Sequence, residues 1–281
     1  FGYSHLAVRL CQCVIGALTA VLVMLLGRKL DARMAPICGG LAIFYGPLAA
    51  ISNEVMTETW FVLWGVLSVY WLVSGQVVGG GIALGLAVLT RPVGLFYVLA
   101  LGIMGVVRKG AWWRRLWGVG IVFLVILPWT IRNYQVHRVW PVLSSQGGFI
   151  VARSNAIDPD WRKAHGWGVS RSFLEQIPGE IDRDRYWWRE GLSFVLSKPV
   201  RYLRLIAERC LRFWYFFHPS YNVWFMTVVP LFLYGFYRFW RTGDYLLPAL
   251  YIFISFVVFV TLLYANSRFR LPLMPFFLIF A

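Results

Sequence analysis

Residues 6–26 read LAVRLCQCVIGALTAVLVMLL, a run of 21 positions interrupted by one charge, Arg9. About 20 predominantly apolar residues span the hydrocarbon core of a bilayer as a helix. An unpaired backbone amide in lipid costs several kcal/mol, so a run of this kind closes its hydrogen bonds on itself. Comparable apolar runs follow at 35–51, 59–74, 77–90, 93–107, 116–131, 222–240, 245–264 and from 271 to the end, making nine helical segments. No ten-residue alternation of apolar and polar positions suggests a barrel strand. Composition agrees: 59% of residues are hydrophobic and 14% charged, far more apolar than a soluble domain. The expected fold class is an all-α polytopic membrane helix bundle.

The segments group into residues 1–131, with about six transmembrane helices, 132–221, a large polar loop domain, and 222–281, with about three further helices. The chain opens at Phe1 and stops at Ala281 within an apolar run, so further helices are expected on both sides. No charged segment followed by a small-residue cleavage site precedes residues 6–26, which therefore read as a spanning helix and not as a signal peptide.

Orientation follows from basic residues in short loops, which concentrate on the cytoplasmic side. With the amino end outside, the inner loops hold Arg28, Lys29, Arg33, Arg108, Lys109, Arg114, Arg115, Arg238 and Arg241. The short outer turns, 52–58, 89–92 and 266–270, hold only Arg91, Arg268 and Arg270. Alternation then places 132–221 outside the cell. Its 14 Lys and Arg against 8 Asp and Glu do not oppose this, because loops beyond about 60 residues translocate largely regardless of charge. The net charge of +15 is accounted for by topology and by attraction to anionic lipid headgroups, and nucleic-acid binding is set aside.

Cys11, Cys13, Cys38 and Cys210 lack the paired spacing of a zinc or redox site and read as packing residues. No Gly-x-x-x-x-Gly-Lys-Ser/Thr sequence is present to cradle a nucleotide phosphate. Gly79, Gly80, Gly81 and Gly85 form a face of small residues, the usual device for close helix packing. In the polar loop, 134–177 is mixed and turn-rich, with Gly147-Gly148, Asp158-Pro159 and Gly166-Trp167-Gly168, and is expected to be mostly loop with one short helix. Residues 184–217 are amphipathic. Leu192, Val195, Leu196, Leu203, Ile206 and Leu211 recur near helical spacing between Arg201, Arg204, Glu208, Arg209 and Arg212. This predicts an interfacial helix with its arginines toward headgroups and Trp214, Tyr215 and Phe216 at the interface, serving as an anchor or as a wall for a lipid chain.

Glu54 and Glu58 are the acids of a short outer turn, where ionisable groups at membrane depth are functional candidates. If 54–58 is helical they share a face; the ordinary alternative is that Glu58 favours the positive end of a helix starting near Thr59. On the same side lie Arg91 in Leu89-Thr90-Arg91-Pro92, Arg132 after Pro128-Trp129, and Arg268 and Arg270 in Ser267-Arg268-Phe269-Arg270-Leu271-Pro272. Guanidinium groups bind phosphate oxygens bidentately and stay charged, so arginines at one leaflet suit a lipid phosphate. Snorkelling to the interface is the alternative for each one taken singly.

These signposts, with Pro128-Trp129-Thr130-Ile131-Arg132-Asn133-Tyr134, Gly147-Gly148, Asn155 and Arg268-Phe269-Arg270-Leu271-Pro272-Leu273-Met274-Pro275, resemble family 39-type glycosyltransferases. These are relatives of protein mannosyltransferases and lipid A aminoarabinose transferases in the GT-C superfamily. The resemblance implies an inverting membrane transferase of EC 2.4 type in a bacterial inner membrane, its active site facing the periplasm. The donor would be a polyprenyl-phosphate sugar and the acceptor a protein, lipid A or another glycan. Donor phosphate binding would fall on Arg91 and on Arg268 or Arg270, with Arg132 as a further candidate. Glu58, with Glu54, would be a supporting acid that holds the acceptor, a metal or a basic neighbour. The family's main base lies in a loop expected before Phe1, and a divalent ion could assist the leaving phosphate. The readings from other classes are a lipid or solute transporter and a structural subunit; a transporter would more often show repeated halves and helices broken near mid-membrane.

Overall fold

A computed structural model of the chain describes residues 4–107, 112–139, 143–156, 158–165, 176–214, 219–239, 246–263 and 267–281. Arg108, Lys109 and Arg241 of the expected inner loops, the Gly166-Trp167-Gly168 turn, and Tyr215 and Phe216 lie outside the described residues. The described residues are helical and contain no strand. Two compact units result: Phe1–Pro128, Phe216–Ser255 and Arg270–Ala281 form the first, and Trp129–Tyr215 and Phe256–Phe269 the second.

In the first unit, α1 (His5–Leu30) starts on Ser4, whose hydroxyl accepts from the Ala7 N–H, and ends with Arg28 and Lys29 in the last turn, where cations favour the helix dipole. The apolar run expected as one helix over 35–51 is instead a bent pair, α2 (Met34–Phe44) and α3 (Gly46–Ser52), turned by 57°. Pro47 explains the break, because it brings no N–H to the ladder and its ring would crowd the Ile43 carbonyl four residues back, so the chain leaves the helix at Tyr45 and restarts with Pro47 in the first turn of α3. Gly46 lies flat against the Trp224 indole, which a Cβ there would approach to 2.9 Å.

α4 (Glu58–Val73) and α5 (Val77–Thr90) form a tight hairpin through Gly75, whose φ of +79° suits glycine. The glycine face of α5 works as its sequence suggests. A Cβ on Gly80 would fall 2.5 Å from Leu72 of α4, and one on Gly85 would fall 2.6 Å from Val125 of α7 (Trp112–His137). With the side chains gone, the α5 backbone also reaches α4, and Ser68 Oγ donates to the Gly80 carbonyl at 3.0 Å. A short 3-10 turn, Pro92–Gly94, leads into α6 (Leu95–Val107). α1 and residues Trp113–His137 are each long and apolar enough to cross a membrane, and α2 with α3 would make a third span as a bent pair. The remaining apolar helices, including α4, α5 and α6, are shorter.

The second unit takes the carboxyl end of α7, α8 (Gly147–Asn155), α9 (Pro159–His165), α10 (Glu180–Ser197) and α11 (Pro199–Trp214). Among the described residues, the turn-rich 134–177 stretch thus holds two short helices where one was expected. The amphipathic stretch is broken at Lys198-Pro199 into α10 and α11, since proline is at home in the first turn of a helix but not inside one. Ala152, Ala156, Trp161, Trp187, Phe194 and Leu205 form the core of this unit. α8 seats on α10 through Gly148, whose N–H donates to Asp184 Oδ1 at 2.7 Å. Partial burial holds the Asp184 carboxyl above its usual range against the opposing pull of the α8 amides. A Cβ on Gly148 would sit 2.2 Å from the Asp184 carbonyl, which is backbone and cannot swing away. Gly148→Ala should therefore destabilise this unit by about 1–3 kcal/mol, the range for overpacking, while Gly147→Ala, facing the Trp188 ring at 3.2 Å, should cost less. Thermal unfolding of the two variants in detergent checks the order.

Three further helices complete the described chain: α12 (Pro219–Phe239), α13 (Leu246–Thr261) and, after a 3-10 segment at Ser267–Leu273, α14 (Met274–Phe280). α12 and α14 pack in the first unit through Phe232 and Phe277, whose rings stack at 4.0 Å. The outcome is an all-α, multi-pass membrane bundle.

Candidate functional site

Residues 53–57 are a turn, so Glu54 and Glu58 do not share a helical face; α4 begins at Glu58 itself. Glu58 is buried at the positive end of the helix, and Glu54 stays half-buried in the bend before it. The turn is fastened from two sides. Gln12 Nε2 of α1 donates to the Met56 carbonyl at 2.6 Å, and Thr59 Oγ1 donates to the Ile51 carbonyl at 3.2 Å. Gln12 is 3% exposed on a predominantly apolar span. Sequence reasoning missed it, although a lone amide in an apolar run is the signal that could have found it.

Arg91 caps α5 with extended backbone, as expected of a residue before proline. Its Nη1 meets Glu58 Oε1 at 2.5 Å, with side-chain exposures of 26% for Arg91 and 5% for Glu58. The carboxylate is thereby neutralised where it lies buried, and the guanidinium keeps donors on its accessible side. Beneath the pair, Phe61, Tyr97 and Tyr251 stack in sequence, with centroids 5.6 Å and 4.6 Å apart, and Phe276 closes the row edge-on at 5.9 Å. This row ties α4, α6, α13 and α14 together.

The other arginines divide between the units. Arg270 belongs to the first; it is 3% exposed and its guanidinium lies over the Phe225 ring at 4.0 Å. Arg132 and Arg268 belong to the second. Arg132 donates to Asn133 Oδ1 at 3.0 Å and lies over Trp129 at 5.3 Å; Arg268 is half-buried in the 3-10 segment. Of the six sequence candidates, the structure brings Glu58 and Arg91 into contact.

Two arginines of the amphipathic stretch are engaged within the protein. Arg201 pairs with Asp158 and, at 2.8 Å, with Asp160, whose carboxyl this guanidinium holds below its usual range. Arg209 is fully buried. It donates from Nη1 to the Thr261 carbonyl at 2.7 Å, and from Nη2 to the Ser154 carbonyl at 2.9 Å and Asn155 Oδ1 at 3.0 Å. Thr261 ends α13 and Asn155 ends α8, so a single cation serves the negative ends of two helices. Arginine has the donor fork for this, and helical spacing alone could not distinguish it from its exposed neighbours.

Among the described residues, no three His, Cys, Asp or Glu side chains come together to hold a metal ion.

Fold and site together define a multi-pass, all-α membrane protein with a buried acid–arginine pair where two of its apolar helices meet. Residues 1–139, which include Glu58, Arg91 and the Pro128–Tyr134 motif, match the dolichyl-phosphate-mannose-protein mannosyltransferase family. The match agrees with the resemblance drawn from the motifs within that stretch. Neither the curated proteins nor the solved structures contain a significant match to the chain.

Proposed function

We propose that this protein transfers a sugar from a polyprenyl-phosphate carrier to an acceptor on the outer face of a bacterial inner membrane, with inversion at the anomeric carbon. The family match over residues 1–139 carries this reading, because it falls on the segment that builds the Glu58–Arg91 pair. In the reaction a base takes the acceptor proton, the acceptor attacks the anomeric carbon, and the bond to the carrier phosphate breaks. Arg91 is suited to hold that phosphate as charge gathers on it, an electrostatic contribution that a fixed cation makes without reorganisation. Glu58, being engaged by Arg91, serves as its positioning residue and not as the base. Arg270, buried with its guanidinium over the Phe225 ring, suits a structural role better than a phosphate contact. Arg132 and Arg268 remain phosphate candidates on their chemistry alone. The acceptor is a protein, a lipid A or another glycan.

Purified full-length protein in liposomes should release polyprenyl phosphate from a polyprenyl-phosphate sugar when an acceptor is supplied. A protein that moves the labelled lipid across the bilayer without cleaving it would be a transporter. Topology supplies a second check. In a background without native cysteines, Lys163→Cys should react with an impermeant reagent from outside and Arg33→Cys should not. Both positions are exposed, so a reversed pattern would invert the assignment of faces.

A further inference from the structure

Gly16 lets α1 lie close on the end of α3, where a Cβ would come within 2.4 Å of Ser52 Oγ and 3.1 Å of Ser52 Cβ. That approach brings Gln12, one turn earlier on α1, onto the turn that follows Ser52, and its Nε2 donates to the Met56 carbonyl at 2.6 Å. The partner dictates which way the amide points, since a carbonyl oxygen accepts and cannot donate. Oε1 is left on the other side, buried, and no donor reaches it among the described residues. A buried acceptor without a donor costs about as much as one hydrogen bond returns, or more, and lipid offers no water to relieve it. Gln12 therefore adds no net stability to the fold. An apolar side chain of similar length would fill the same space and strand no polar atom of its own.

We infer that Gln12 is a positioning residue for the Glu58–Arg91 pair. The inference rests on the reading given under Proposed function and adds to it a residue from a third helix. Met56 lies two residues before Glu58, the first residue of α4, whose carboxylate meets Arg91. The 53–57 segment is a turn without a helical ladder of its own. Thr59 ties it back to Ile51 within the same stretch of chain, whereas Gln12 ties it to α1, an element long enough to span the bilayer. Cys13 adds a weaker contact from the same helix, its Sγ 3.8 Å from the Ser52 carbonyl. Without the amide the turn can settle elsewhere, and the Glu58 carboxylate moves with it and takes the guanidinium out of register. Arg91 is proposed to act as charge gathers on the carrier phosphate, so the misplacement is felt in turnover more than in donor binding.

The test uses full-length protein in liposomes with a polyprenyl-phosphate sugar and an acceptor. Gln12→Met should unfold in detergent at the temperature of the parent or above it, yet lower kcat by about 10- to 100-fold with the donor KM changed less than about threefold. Gln12→Asn, which keeps the amide but falls one methylene short of Met56, should lose turnover as Gln12→Met does. Thr19→Val removes another buried polar group of α1, whose hydroxyl bonds to the Ile15 carbonyl of the same helix at 2.9 Å, and should change neither constant. Added to Glu58→Gln, Gln12→Met should cost far less than it does in the parent, because it acts through Glu58. Full additivity of the two, or a fall in kcat that tracks a lower unfolding temperature, would make Gln12 a packing residue; unchanged kcat in Gln12→Met would overturn the inference outright. A parent that transfers no sugar removes the transferase reading, and amide exchange over 53–60 then decides on Gln12 by itself. Faster exchange in Gln12→Met keeps it as the residue that sets the turn carrying Glu58, and unchanged exchange overturns that as well.

Discussion

Arg91→Ala should lower stability by about 3–5 kcal/mol, because it strands the buried Glu58 carboxylate without its cation. Donor turnover should fall as well, by roughly 10- to 150-fold if one charge-assisted hydrogen bond of about 1.5–3 kcal/mol to the phosphate is lost. These two effects separate in the double variant Glu58→Leu/Arg91→Met. Replacing both partners of a buried pair by apolar groups is often neutral, so unfolding should return close to that of the parent. Activity should stay lost, since no cation remains to meet the phosphate. Arg91→Lys should fall between, keeping attraction but losing the planar fork. A stable double variant with normal turnover would reduce Arg91 to a counterion for Glu58. Glu58→Gln is informative from the other side: the amide can still accept from Arg91, so turnover should drop without vanishing, and complete loss with intact donor binding would make Glu58 the base.

The second large effect is expected at Arg209. Arg209→Met removes three hydrogen bonds at once and leaves the buried Ser154 carbonyl and Asn155 amide oxygen without this donor, while the Thr261 carbonyl keeps only the Tyr202 hydroxyl. Each such group costs about 1–3 kcal/mol when unsatisfied. The second unit should unfold at markedly lower temperature, and amide hydrogens over 256–263 and 147–156 should exchange faster than in the parent. Arg209→Lys should restore only part of the protection, because one ammonium cannot reach three acceptors spread across two helix ends. Unchanged exchange in Arg209→Met would mean that water replaces the guanidinium without loss.

Much of this fold is legible in the sequence because lipid imposes one solution on an apolar run. All nine apolar runs are helical in the described residues, and the glycine face of α5 packs where its spacing suggests. What escaped was local competition between backbone and packing. The hydropathy of 35–51 is continuous, yet Pro47 and the Trp224 ring against Gly46 bend it. Glu58 and Arg91 were each visible as charges out of place, but their pairing depends on how α4 and α5 turn back on each other, which no single loop encodes. Arg209 was hidden for the opposite reason. It sits in a row with Arg204 and Arg212, which are exposed, and only the arrival of two helix ends distinguishes it. Gln12 was passed over as one polar residue among many apolar ones, although its bond to Met56 holds the turn before the site.

Arg209 is balanced by the carbonyl ends of two helices and a side-chain amide. Dissolved ions screen charges that water can reach, and they do little to dipoles sealed from it. The exposed Arg201–Asp160 contact should loosen as salt rises, while the Arg209 junction should hold across the same range. The second unit therefore carries a clamp insensitive to the ionic strength around it, a useful property in a segment proposed to face an environment whose salt the cell does not control.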